Sequence, residues 1–113
     1  MKRLIYVLLL LCASCNYMEM KDHACPTGGT TLTYENFGKG FMDRYCQGCH
    51  GSIDHRDGAP SGYDFGSPEA IRKYKERIFV RSAAVNTTMP PGPDDPPMDE
   101  RAKLADWLAC GAP

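Results

Sequence analysis

The sequence predicts an all-α domain of about three main helices, and three observations carry that expectation. Apolar residues recur at helical spacing in three separate stretches, within 37–46, 71–79 and 104–108. The segments between them are dense in Gly, Pro, Asp and Ser, which punctuate chains rather than extend them. No stretch alternates apolar and polar residues as a half-buried strand would, and no internal repeat is present.

The chain has 113 residues, room for one small domain. Thr33 can N-cap a first helix, with Glu35 favourable near its positive end. Phe37, Phe41 and Tyr45 recur every four residues, and Gly38, Met42 and Cys46 form a neighbouring stripe. That wide apolar face runs directly into Cys46-Gln47-Gly48-Cys49-His50, so the helix carries these residues to the core. Residues 51–66 read as loop. Ser67-Pro68-Glu69 is a strong helix start, with a hydroxyl cap, Pro at the first helical position and an acid beside it. Ile71, Tyr74, Ile78 and Phe79 give the second helix its inner face. Lys73, Lys75, Arg77 and Arg81 read as a solvated face rather than a docking patch. Five prolines exclude helix or central strand from 86–97. Asp99 is expected to cap a third helix, whose stripe is Leu104, Trp107 and Leu108, with Gly111 as its C′ residue.

The N-terminus reads as a targeting segment. Lys2 and Arg3 precede a short apolar run over 4–11, too short to span a membrane, and small residues follow. Ala13 and Ser14 before Cys15 resemble the lipobox of bacterial lipoproteins, where the signal is cut before a cysteine that then carries lipid. The expected organisation is a lipoprotein-type signal over 1–14, a tether and domain start over 15–32 anchored through Cys15, and the domain over 33–113. More than one acyl chain makes such an anchor stable. The protein is thus expected to be exported, periplasm-facing and lipid-anchored to a bacterial membrane, inner or outer. Loss of Lys2 and Arg3 makes a net charge of −1 more negative, so no basic excess exists to neutralise phosphates. That argues against a nucleic-acid partner and leaves protein partners.

Export also changes how the six cysteines are read, because a leftover pair outside the cytoplasm tends to oxidise. Cys12 leaves with the signal, Cys15 is the anchor, and Cys46 and Cys49 share one motif. Cys25 and Cys110 remain near the two ends of the domain, either as a disulfide or as two thiols.

C-x-x-C-H is the attachment signature of c-type haem. Two thiols add to the haem vinyl groups as thioethers, the intervening residues set their reach, and the adjacent imidazole meets the iron. Here these are Cys46, Cys49 and His50, which implies one haem c per chain. A structural zinc site would need four ligands, and no second paired motif exists. A thioredoxin-like CxxC would follow a strand, whereas this one ends a helix. Candidates for the iron's second axial ligand are Met89, Met98, His55 and His23. His55 lies too close to His50 in sequence to reach the opposite face, and His23 falls in the tether; both read as surface histidines. Met89 heads Met89-Pro90-Pro91-Gly92, a stiff loop suited to presenting a thioether, against the alternative of a gap-filling core side chain. Met98 directly precedes the third helix and reads as packing there.

Over about 33–109 the chain resembles a small class I cytochrome c. That family has a helix ending in CxxCH, a middle helix, a loop presenting a methionine often followed by proline, and a last helix crossing the first. The resemblance implies that Gly38 and Phe41 or Met42 pack against Leu104, Trp107 and Leu108, with Gly38 permitting close approach. It also implies His/Met-ligated haem iron, in which methionine favours Fe(II). The implied function is transfer of single electrons between periplasmic or membrane redox proteins, with no catalytic activity and no small-molecule substrate. The alternatives are an open-iron sensor or peroxidase-like haem protein, and a structural lipoprotein without haem.

Overall fold

The computed structural model describes residues 16–51 and 59–113, and every regular element among them is helical. A π-helical turn, Tyr34–Gly38, leads into α1 (Lys39–Tyr45); α2 (Gln47–His50), α3 (Pro68–Ser82) and α4 (Met98–Ala109) follow. A short 3-10 turn, Met20–Asp22, precedes them. No helix among the described residues is long and apolar enough to cross a membrane.

Thr33 caps the first helical stretch as expected, and Asn36 completes a reciprocal pair that the sequence reading did not anticipate. The Asn36 amide donates to Thr33 Oγ1 at 3.1 Å, and the Thr33 amide donates to Asn36 Oδ1 at 2.7 Å. Two otherwise orphaned donors are thereby satisfied. The amides of Phe37 and Gly38 both donate to the Thr33 carbonyl at 3.0 Å, and this sharing widens the first turn. Cys46, at φ −118°, separates α1 from α2.

Ser67 caps α3 by accepting from the Ala70 amide at 3.1 Å, with Pro68 at the first helical position. In α4 the expected start is displaced. Asp99 is not the cap: the Arg101 amide donates to the Pro97 carbonyl at 3.1 Å, so Pro97 takes that position. Asp99 and Glu100 lie inside the first turn, where their charge complements the helix dipole. Gly111, at φ +94°, reverses the chain beyond α4. The Gly111 amide then reaches Leu108 O and the Ala112 amide reaches Trp107 O, the two bonds of a Schellman closure.

The core is a three-way contact. Leu104, Ala105, Trp107 and Leu108 of α4 lie between Phe37, Phe41 and Met42 of the first helical stretch and Ile71, Ile78 and Phe79 of α3. Trp107 meets Phe37 edge-on at 5.9 Å, and Gly38 lets its ring approach the helix backbone. The Pro113 carbonyl accepts from the Tyr34 amide at 2.7 Å and from Trp107 Nε1 at 3.2 Å, locking the crossing.

The segment expected to be a tether instead lies on the domain. Met18 and Met20 pack against the core. Met18 also donates its amide to Asn86 Oδ1 at 2.9 Å and accepts Asn86 Nδ2 at 2.8 Å. His23, expected at the surface, is half-buried, with Nε2 2.8 Å from Asp106 Oδ1 and its ring 5.6 Å from Phe79. The Cys25–Cys110 disulfide closes the strap onto the end of α4. The physical reason is that two methionines give a polar stretch enough apolar area to dock, and Asn86 satisfies the main chain where it does so.

Candidate functional site

One cavity collects most of the chemically distinctive residues. It is lined by Tyr45, Cys46, Cys49 and His50, by Tyr63 and Phe65, by Arg77, Ile78, Arg81 and Ser82 of α3, and by Met89, Pro90 and Pro91. Cys46, Cys49, His50 and Met89 are thus brought to the same space. Met98 is not among them: as the first residue of α4 it is 54% exposed. His23 lies instead against Asp106 and Phe79, while Cys15 and His55 fall outside the described residues.

Cys46 and Cys49 flank two residues around the start of α2, so their spacing of three places both on one side of the helical turn. Both are thiols rather than a disulfide. Burial pushes the Cys46 thiol up to about 12, with the Arg101 charge partly opposing that rise. The apolar wall thus keeps this sulfur in its neutral form.

His50 is oriented by a main-chain group. Its Nδ1 lies 2.9 Å from the Tyr63 carbonyl oxygen, an acceptor only, so Nδ1 is the donor there and Nε2 is the ring nitrogen left for another partner. Phe65 braces the imidazole at 4.8 Å between ring centres, and its amide donates to His50 O at 3.3 Å. Gln47 holds the same turn, accepting from the Phe65 amide at 3.3 Å and reaching Asp64 Oδ1 at 3.4 Å. The sequence reads this stretch as plain loop. A carbonyl acceptor belongs to every residue, so nothing in the side-chain pattern could single out Tyr63.

The proline-rich wall is tied down at Met89. The Met89 amide donates to Arg81 O at 2.8 Å, and Arg101 Nη1 donates to Met89 O at 2.9 Å. Arg101 was missed by the sequence reading, although a signal existed. It occupies the apolar stripe of α4 with Leu104, Ala105 and Leu108, where a charged residue is out of place.

Arg77 is exposed, as a solvated face requires, and Arg81 is half-buried; both also line the cavity, one helical turn apart on α3. The inner face of α3 is wider than its apolar stripe because it borders the cavity as well as the core. Among the described residues neither arginine is ion-paired. Among the described residues, no three His, Cys, Asp or Glu side chains converge as a metal-binding group.

The arrangement offers two thiols, an imidazole nitrogen and a thioether around an apolar space with two cations at its edge. Such a set can hold a flat apolar group covalently and offers donors to a metal at its centre. A family profile described as "Cytochrome C oxidase, cbb3-type, subunit III" matches residues 36–108, a span that includes all four of these side chains. No curated protein and no solved structure matches the chain.

Proposed function

The chain belongs to the cbb3-type cytochrome c oxidase subunit III family, a class I c-type cytochrome domain that binds covalent haem c, and on that premise we propose a monohaem electron carrier whose iron lies between His50 and Met89.

The residues present fit the group. Cys46 and Cys49 supply two thiols at one edge of an apolar cavity, and His50 supplies an imidazole whose other nitrogen is already committed to a carbonyl. Arg77 and Arg81 offer positive charge to the haem carboxylates. When bound, the haem supplies a one-electron Fe(III)/Fe(II) couple. The chain's part is to fix its ligands and keep water out. Tyr63 O holds the His50 ring in one tautomer, and Arg81 O and Arg101 hold the main chain of Met89. A thioether and an imidazole together on the iron would favour Fe(II) and raise the potential.

With His50 and Met89 both holding the iron, no site would be left for a substrate, and the protein would carry electrons between redox proteins with no catalytic activity of its own. We place it outside the cytoplasm, lipid-anchored through Cys15, with the signal over 1–14 removed. The observation that carries the reading is the single cavity shared by the His50 imidazole, oriented by Tyr63, and Met89.

Co-expression with a cytochrome c maturation system tests it. The pyridine haemochrome spectrum of the purified protein should report one haem that survives acid–acetone extraction. Met89→Ala should abolish the thioether–iron absorption at the red edge of the visible spectrum, and Met98→Ala should leave it intact. Loss of haem on extraction would reject the assignment, and an unchanged Met89→Ala spectrum would reject Met89 as ligand. Cys15→Ser should release the protein from membranes.

A further inference from the structure

Arg101 is 2% exposed, yet among the described residues no carboxylate is ion-paired with it. Its guanidinium spends its donors on main-chain oxygens. Nη1 reaches Ser82 O at 2.8 Å, Asn86 O at 3.0 Å and Met89 O at 2.9 Å, and Nε reaches Pro96 O at 3.2 Å. The Arg101 carbonyl in turn accepts from the Ala84 amide at 3.0 Å. One residue therefore gathers the whole crossing from the end of α3 to the start of α4, and one of its acceptors belongs to Met89 itself.

Desolvating a cation is unfavourable unless its donors are used, and each bond from a charged donor is roughly twice as strong as a neutral one. A neutral apolar residue would serve the core better at this place on the α4 stripe. What arginine adds is a planar fork that fixes several carbonyls relative to one another. The proline-rich segment has no regular structure to do that for itself.

We propose that Arg101 is a positioning residue for the distal ligand, holding the 82–97 segment so that the Met89 thioether stays on the iron. This rests on Met89 being that ligand. Without the fork, the segment can move away from the cavity while the helices stay packed, and an external ligand competes for the iron more readily.

The test uses the ferric holoprotein and imidazole as competing ligand. Arg101→Lys keeps the charge and the aliphatic stem but loses the fork, so it separates positioning from charge. It should bind imidazole about tenfold more tightly than the unaltered protein and show a weakened thioether–iron band. Gly38→Ala, which disturbs the helix crossing away from the loop, should lower global stability while imidazole affinity stays within about twofold. Met89→Ala should bind imidazole tightly, and adding Arg101→Lys to it should change nothing further, because no thioether remains to be positioned. Arg101→Gln should behave as Arg101→Lys; if it fails to fold, the lysine variant decides. Imidazole affinity unchanged in Arg101→Lys, with the band intact and Met89→Ala bandless, would overturn the positioning role alone. A band that survives Met89→Ala would overturn the ligand assignment on which it rests.

Discussion

Gly38 lies directly beneath the six-membered ring of Trp107, and a Cβ built on Gly38 would overlap Cζ2 and Cη2 of that ring. This contact sets how closely the first helical stretch crosses α4. Trp107 is also held by an edge-on contact with Phe37 and by its own Nε1 bond to Pro113 O, so it has no easy way to give.

Gly38→Ala should therefore destabilise the fold by about 1–3 kcal/mol, the usual range for overpacking a well-filled core. The measurement is the urea midpoint followed by circular dichroism. A midpoint equal to that of the unaltered protein would show that the crossing relaxes without strain.

The Cys25–Cys110 bridge closes a loop with a sequence separation of 85. On the chain-entropy model such a loop contributes about 4–5 kcal/mol by restricting the unfolded chain. The double variant Cys25→Ser/Cys110→Ser should lose a large part of that, more than Gly38→Ala does. The haem spectrum should persist, since neither sulfur lines the cavity. A loss below about 1 kcal/mol would mean that the strap's other contacts already restrict the unfolded ensemble.

Asn86 joins the strap to the ligand loop. It is buried, exchanges two hydrogen bonds with the Met18 main chain, donates to Phe79 O at 3.0 Å, and gives its carbonyl to Arg101. Asn86→Ala removes both bonds to the part-buried Met18 main chain, while Phe79 O keeps the Ala83 amide, at about 1–3 kcal/mol. Hydrogen exchange should accelerate at the Met18 amide well before the α4 core opens. Protection at Met18 equal to that of the unaltered protein would show that the strap is held without Asn86.

What was legible in the sequence was local or periodic. Thr33, Ser67 and Gly111 mark helix ends by the chemistry of their own side chains, and the stripes of Phe37, Ile71 and Leu104 mark the core. The Cys46–His50 spacing and the prolines beside Met89 are likewise read in place. What was not legible depends on main-chain acceptors or on which elements meet. The Tyr63 carbonyl at His50 and the carbonyls around Arg101 carry no residue signature. The docked strap depends on Asn86 meeting Met18, 68 residues away in sequence. Asp99 was displaced as a cap because the first carbonyl to accept in α4 belongs to Pro97.

Arg77 and Arg81 show how position, rather than net charge, carries weight at such a cavity. α3 also bears Lys73 and Lys75, but only the two arginines are among the cavity residues. A fixed cation near the haem opposes the extra positive charge of Fe(III), so it favours the reduced state. Arg77→Gln and Arg81→Gln should each lower the reduction potential, and Lys73→Gln should change it less. The Arg81 substitution leaves its main-chain bond to Met89 in place, so the thioether–iron band should remain. The effect should shrink as salt is raised, because Arg77 is exposed and its field is screened. Voltammetry of the four proteins at low and high ionic strength checks both points. Equal shifts for Lys73→Gln and the arginine variants would show that the chain's overall charge, not its placement at the cavity, sets the potential.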